Sequence, residues 1–219
     1  MRKCIYLILL SLILSCTSKS KKAAPEARIL AMDELKITLD DAGTPQRIEG
    51  AIMQLKHPDD PVEELYALVE QEPLFKLSTP EKELVLVQKE KDELGYQHLT
   101  FARVHNNIKI WGDEIKFHLN DKNEAYLMNG HYQASLPEDF STATTLTRTE
   151  AEDAAKQALS FNYANQDETK LYIYPSDSGY HLAWRVIVGK ARLAPDQWEC
   201  LVDAQSGEIL HKSSLIRTN

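Results

Sequence analysis

The chain has 219 residues, 43% of them hydrophobic, and its 25 basic and 33 acidic side chains leave a formal net charge of −8. That length supports one or two domains with real cores, and the acidic balance offers no basic stripe, which excludes nucleic acid as a partner. Of three cysteines two lie in the first sixteen residues and Cys200 stands alone, so no intrachain disulfide framework is available.

Arg2 and Lys3 precede a ten-residue apolar run, Ile5 to Leu14, broken by Ser11. A membrane-crossing helix needs about 20 apolar residues, so the run has the length of a signal-peptide core. It ends in Ile13-Leu14-Ser15-Cys16, which resembles the lipobox of bacterial lipoproteins. The resemblance implies a signal peptide over 1–15 and acylation of Cys16, hence a lipid membrane as one partner. Residues 16–32 are polar and lysine-bearing, as a flexible tether is. The expected location is the cell envelope, with Thr17 in place of Asp favouring the outer membrane.

Leu35 to Leu39 alternates apolar and polar, Asp40 to Pro45 carries turn residues, and Ile48 to Met53 reads as a returning strand. Pro61 suits the first turn of a helix, with Glu63 and Glu64 near its positive end and Leu65, Leu68 and Val69 on one face; Pro73 ends it. Leu84 to Val87 is a strand, with a charged turn expected over Lys89 to Asp92. Further strands are expected at 98–104, 108–111, 114–119 and 125–128, with turns at Asn106-Asn107 and Asn120 to Asn123.

A Ser- and Thr-rich linker, 135–146, leads into a second helix. Both Thr149 with Glu152 and Thr147 with Glu150 fit a capping box there. Ala151, Ala154, Ala155, Ala158 and Leu159 form a small-residue face. Strands then follow over 171–174, 181–188, 197–203 and 208–211, with turns at 177–179, 195–196 and 206–207. The pattern is α+β twice over, a helix on an antiparallel meander in each half.

Three stretches carry a resemblance. Gly95 to Phe101 with His98, the turn leading to Gly112, then His118, Asn120, Asn129 and Gly130, together resemble the fungalysin/thermolysin propeptide (FTP) motif. Thr100 stands where that motif usually has Arg, and Asn107 where it has a turn Gly. His181 to Val186 with Trp184, then Asp203-Ala204 and Gly207 to Leu210, resembles the PepSY domain. Gly43 to Gly50 is similar to the element that opens such propeptides. The resemblance implies two small cystatin-like helix-on-sheet propeptide domains in tandem, FTP-like over 33–134 and PepSY-like over 145–215. It further implies a thermolysin-like metalloprotease as partner.

No histidine begins an H-E-x-x-H, and there is no G-x-G-x-x-G, P-loop or nucleophile elbow. The chain is therefore expected to have no catalytic residue, no metal and no cofactor. The motif residues Gly95, His98, Phe101, Gly112, His118, Asn129, Gly130, Trp184, Asp203 and Gly207 are expected to serve structure, Asp203 by capping turn amides. The tail Leu215, Ile216 and Arg217 is a candidate protease-contacting segment. The leading expectation is a stand-alone propeptide-like lipoprotein that inhibits such a protease or assists its folding. The alternatives are a lipid-anchored adaptor with an unrelated ligand, or the propeptide part of a truncated zymogen.

Overall fold

The computed structural model describes residues 34–216 apart from 58, 135, 138, 139, 193 and 194. The expected signal peptide, Cys16, the whole tether and Arg217 lie outside the described residues.

Strands β1 (Lys36–Leu39) and β2 (Pro45–Gln54) pair antiparallel. Gly43 takes φ +72° in their turn, and Asp40 Oδ1 accepts the Thr44 N–H at 2.7 Å. Helix α1 (Val62–Gln71) packs Leu65, Leu68 and Val69 into the core, the stripe its spacing predicts, and buries Ala67 as well. Glu64 turns inward with them, and its carboxylate accepts the backbone N–H of Lys56 and His57 at 2.9 and 2.5 Å. A four-residue helix, α2 (Pro80–Glu83), leads into β3 (Leu84–Lys91), β4 (Gln97–His105), β5 (Ile108–Leu119) and β6 (Glu124–His131), an antiparallel meander whose last strand returns beside β2. Ile48, Ile52, Phe75, Phe101, Phe117 and Met128 form the core under α1. The charged turn expected at Lys89 falls later. β3 runs on through Lys91, and Asp92 Oδ1 gathers the N–H groups of Leu94 and Tyr96, both at 2.9 Å.

Helix α3 (Arg148–Leu159) opens with a reciprocal capping box between Thr147 and Glu150, the earlier of the two expected. Strands β7 (Tyr163–Ala164), β8 (Lys170–Ser176), β9 (Gly179–Gly189), β10 (Trp198–Asp203) and β11 (Ile209–Ser214) follow. Ala151 and Ala155 are fully buried against Val186, Val188, Cys200 and Val202. Ala158, expected on that face, is exposed, and Glu152 is buried instead. The stripe is rotated by about one residue from the alanine pattern.

The two halves were expected as separate small sheets, but the hydrogen bonding does not stop between them. β5 pairs parallel with β8, Lys109 opposite Tyr172 and Ile110 opposite Ile173, so eleven strands form one continuous sheet. Register explains the join. β6 ends opposite Glu114, leaving the first half of that edge of β5 open for β8. Gly112, at φ +80°, lies between the two paired stretches, and β4 takes a bulge around Arg103 alongside. Ile110, Ile173, Leu182 and Ala204 seal the junction, with Leu136 and Phe140 of the linker packed on them.

Candidate functional site

Alternation along β4, β5 and β6 sends Leu99, Phe101, Ile115 and Phe117 into the core and His98, Thr100, Lys116 and His118 to the opposite face. His98 and His118 are directly opposed in the ladder, as are Lys116 and Asn129. The polar side chains form a chain of contacts. Asp92 Oδ2 lies 3.4 Å from His98 Nε2, His98 Nδ1 lies 2.7 Å from His118 Nδ1, and His118 Nε2 lies 2.7 Å from Asn129 Oδ1. With Asn129 Oδ1 accepting, a neutral His118 donates through Nε2 and accepts at Nδ1 from His98 Nδ1. Burial lowers the His118 pKa, the Asn129 bond opposes that, and His98 lowers it further, so the neutral form that this chain requires is favoured.

The same face carries an open concavity of about 600 Å³ between β3 and β6, bordered by Val87, Thr100, Gly112, Lys116, Asn129 and Gly130. Two motif glycines are explained here. Gly112 holds a left-handed backbone. A Cβ on Gly130 would collide with the Glu114 carbonyl of the neighbouring strand. Gly95 holds φ +84° in the β3–β4 turn, and Phe101 is a core ring against Tyr66 and Phe117. The motif thus divides between a glycine scaffold, a core anchor and an exposed polar face.

Behind that face lies a buried cluster. Arg103 Nη2 donates to Glu83 Oε2 at 2.9 Å and to the Ala134 carbonyl at 3.0 Å, while Nη1 donates to the Gln133 carbonyl. Asp113, 1% exposed, accepts the Gln133 N–H at 2.7 Å. Burial raises its pKa against the opposing pull of that N–H and of Arg103. The cluster fixes where the linker leaves β6. Sequence alone does not disclose it. Its one available signal was an Arg inside a run of core residues on β4.

In the second half Asp203 Oδ1 accepts the N–H groups of Gln205 and Ser206 at 2.9 and 2.8 Å, and Gly207 holds φ +79° in that turn. Asp203 Oδ2 lies 3.2 Å from His181 Nδ1, and His181 Nε2 lies 3.1 Å from Ser178 Oγ. Burial raises the Asp203 pKa, but these donors outweigh it and hold the carboxyl below its ordinary value. Ser178 is also bonded to Ser176, whose hydroxyl donates to the Gly179 carbonyl. The hydroxyl therefore belongs to the hairpin turn, and the arrangement orders that turn. Trp184 Nε1 donates to the Leu146 carbonyl at 3.1 Å, tying β9 to the start of α3. Burial pushes the Cys200 thiol up to about 11, leaving it unreactive at neutral pH.

The tail leaves from β11, with the Leu215 N–H on the Gln197 carbonyl and the Leu215 and Ile216 side chains exposed. Among the described residues no three His, Cys, Asp or Glu side chains gather as a metal site. The motif residues lie on two faces: the FTP-like set on the first sheet half and the PepSY-like set on the second.

Residues 82–132 match the family model described as the Fungalysin/Thermolysin Propeptide Motif. The chain is 30% identical over 185 residues to the thermostable neutral protease NprT of Geobacillus stearothermophilus, covering 79% of this chain and 33% of that protein. It is 29% identical over 179 residues to thermolysin of Bacillus caldolyticus, 77% of this chain and 32% of that one. It is 30% identical over 148 residues to bacillolysin of Bacillus subtilis strain 168, 63% and 28%. The chain therefore spans about a third of the length of the curated relatives it matches. Among solved structures it is similar to the Bacillus megaterium YpeB C-terminal domain, with a TM-score of 0.40 and 12% identity over 84% of this chain and 76% of that one.

Proposed function

We propose that this protein acts as a propeptide toward a thermolysin-like metalloprotease, inhibiting it and assisting its folding at the cell envelope. One observation carries the reading: the propeptide motif match over 82–132 lies inside a longer similarity to proteins named as neutral proteases and thermolysins. We further propose that 145–215 is a PepSY-like unit, that Cys16 carries lipid, and that the tail from Leu215 reaches the protease. The tail continues an edge strand, and its apolar side chains are exposed. An extended segment of that kind suits a peptide-binding groove.

Tested in trans, residues 33–219 forgo the high effective concentration that a covalent link supplies. A real interface is then required, on the order of 1,200 Å² or more in total. Residues 33–219, added at micromolar concentration, are expected to slow peptide cleavage by a thermolysin-like protease and to raise its refolding yield. Removing 215–219 is expected to weaken inhibition while leaving the melting temperature almost unchanged. Inhibition that survives the deletion moves the contact to the polar sheet face, where Lys116→Glu becomes the discriminating variant. A protein that neither binds, slows nor refolds any such protease overturns the proposal. For the anchor, Cys16→Ala is expected to release the protein from the membrane pellet.

A further inference from the structure

We infer that the His98–His118 pair is an acid-operated switch in the polar face of the sheet, closed while the two rings share one hydrogen and open once each Nδ1 carries its own. The two Nδ1 atoms lie 2.7 Å apart, a separation that fits one hydrogen between a donor and an acceptor. Two N–H groups aimed at each other across that gap repel, so a second hydrogen there must part the rings. Parting them leaves the ladder intact. His98 and His118 are strand partners through their backbones, and their neighbours Leu99 and Phe117 stay buried on the other face. His98 is the ring free to move. His118 is held through Nε2 by Asn129 Oδ1 at 2.7 Å, whereas the outer nitrogen of His98 meets the half-exposed Asp92 carboxylate at 3.4 Å.

The surroundings set the order in which protons arrive. One added proton has a place on His98 Nε2, toward Asp92, and it leaves the shared hydrogen undisturbed. The next goes to His118 Nδ1, and that step opens the pair. The groups facing His118 are His98 from β4, Lys116 from β5, Arg47 from β2 (itself paired with Glu49), and Asn129 with the Tyr126 ring from β6. Burial opposes charging His118 most strongly, the Asn129 bond favours it, and His98, Lys116 and Arg47 add further opposition. The rings therefore titrate as a coupled pair, with the opening step below the ordinary imidazole value. Asn129 and Lys116 also border the open concavity of this face, so opening adds positive charge where a partner would rest. A partner covering His118 strips water from it and disfavours its charged form further. By linkage, acid releases such a partner. The release step rests on the propeptide reading, and the switch itself does not.

Long-range proton–nitrogen spectra of the imidazoles test the switch on the full chain in detergent, titrated from about pH 8 to about pH 4 across the ordinary imidazole range. We expect His118 to begin as the Nε2–H tautomer, the two rings to titrate in separate steps, and their mutual contacts to vanish at the second. His98→Ala should raise the His118 midpoint, and Asn129→Ala should lower it. Affinity for a thermolysin-like protease should fall about tenfold one pH unit below that midpoint, the limit for a single linked proton. The His118→Gln protein, which cannot take that proton, reports the protease's own response to pH. Rings that titrate independently at one midpoint, or that keep their contacts with both charged, overturn the switch. So does a His118 midpoint unmoved by His98→Ala. Parent and His118→Gln proteins with the same pH dependence of binding overturn the release step. A parent that binds no such protease at any pH removes the release step together with the functional reading, while the spectra of the parent still decide the switch.

Discussion

Arg103 lies near the end of β4 with its guanidinium buried among Glu83 and the Gln133 and Ala134 carbonyls, close enough to Asp113 to affect its ionisation. Removing it leaves buried charge unpaired, so Arg103→Met is expected to cost about 3–5 kcal/mol in urea denaturation. His118 makes a second, pH-dependent prediction. Its folded pKa is lowered, chiefly by burial, so the unfolded chain takes up its proton first. The stability it contributes is complete above the ordinary imidazole value of about 6.5 and is lost as the pH falls below it. His118→Gln should flatten the stability profile in that interval, and an unchanged slope would show that the Asp92–His98–His118–Asn129 chain carries no linkage. That His98 and His118 lie on strands was legible in the sequence. Their mutual contact was not, because a ladder register cannot be read from alternation alone. Glu64, Arg103, Asp113 and Glu152 were illegible for a related reason: charged residues are assigned to the surface unless a partner is visible.

At the scale of elements, helix periodicity and turn chemistry were read well, and the errors have a common form. Val62–Gln71 and Arg148–Leu159 emerged from their apolar stripes and caps. The stripe of α3, however, is rotated so that Ala158 faces solvent and Glu152 does not. Alanine is small enough to sit on either side of such a boundary, and an all-alanine face defines its own centre poorly. Ala155 is the better test of packing, being fully buried against β9 and β10. Ala155→Leu should overpack that contact and cost about 1–3 kcal/mol, lowering the denaturation midpoint. The same substitution at Ala158 should leave the midpoint within experimental error of the parent. The late turn after β3 has the same origin. Charged residues at an exposed sheet edge look like a turn in sequence, whereas Lys89 to Lys91 continue the strand and keep its edge soluble.

For the whole molecule, the helix-on-sheet character of each half was legible, and the single sheet that joins them was not. Period-two alternation reports which face of a strand is buried; it is silent on which edge is paired. The pairing of Ile110 with Ile173 depends on where β6 stops and where Gly112 lies, both tertiary facts. A shared strand and a sealed junction predict one cooperative thermal transition. Calorimetric and van't Hoff enthalpies should agree for the described region, and two resolved transitions would show that the halves melt apart.

Gly112 has one more consequence, for anyone who cuts or recombines this gene. The strand it interrupts is common property: its later portion completes one half and its opening residues complete the other. A fragment ending after the first half would keep Lys109 and Ile110 without their neighbour, and a fragment beginning after it would leave β8 with a bare edge. Each piece would carry an unpaired backbone ready to recruit a foreign strand. The seam between two halves of similar design is therefore the worst place to divide the molecule, and modular exchange should succeed only when both halves travel together.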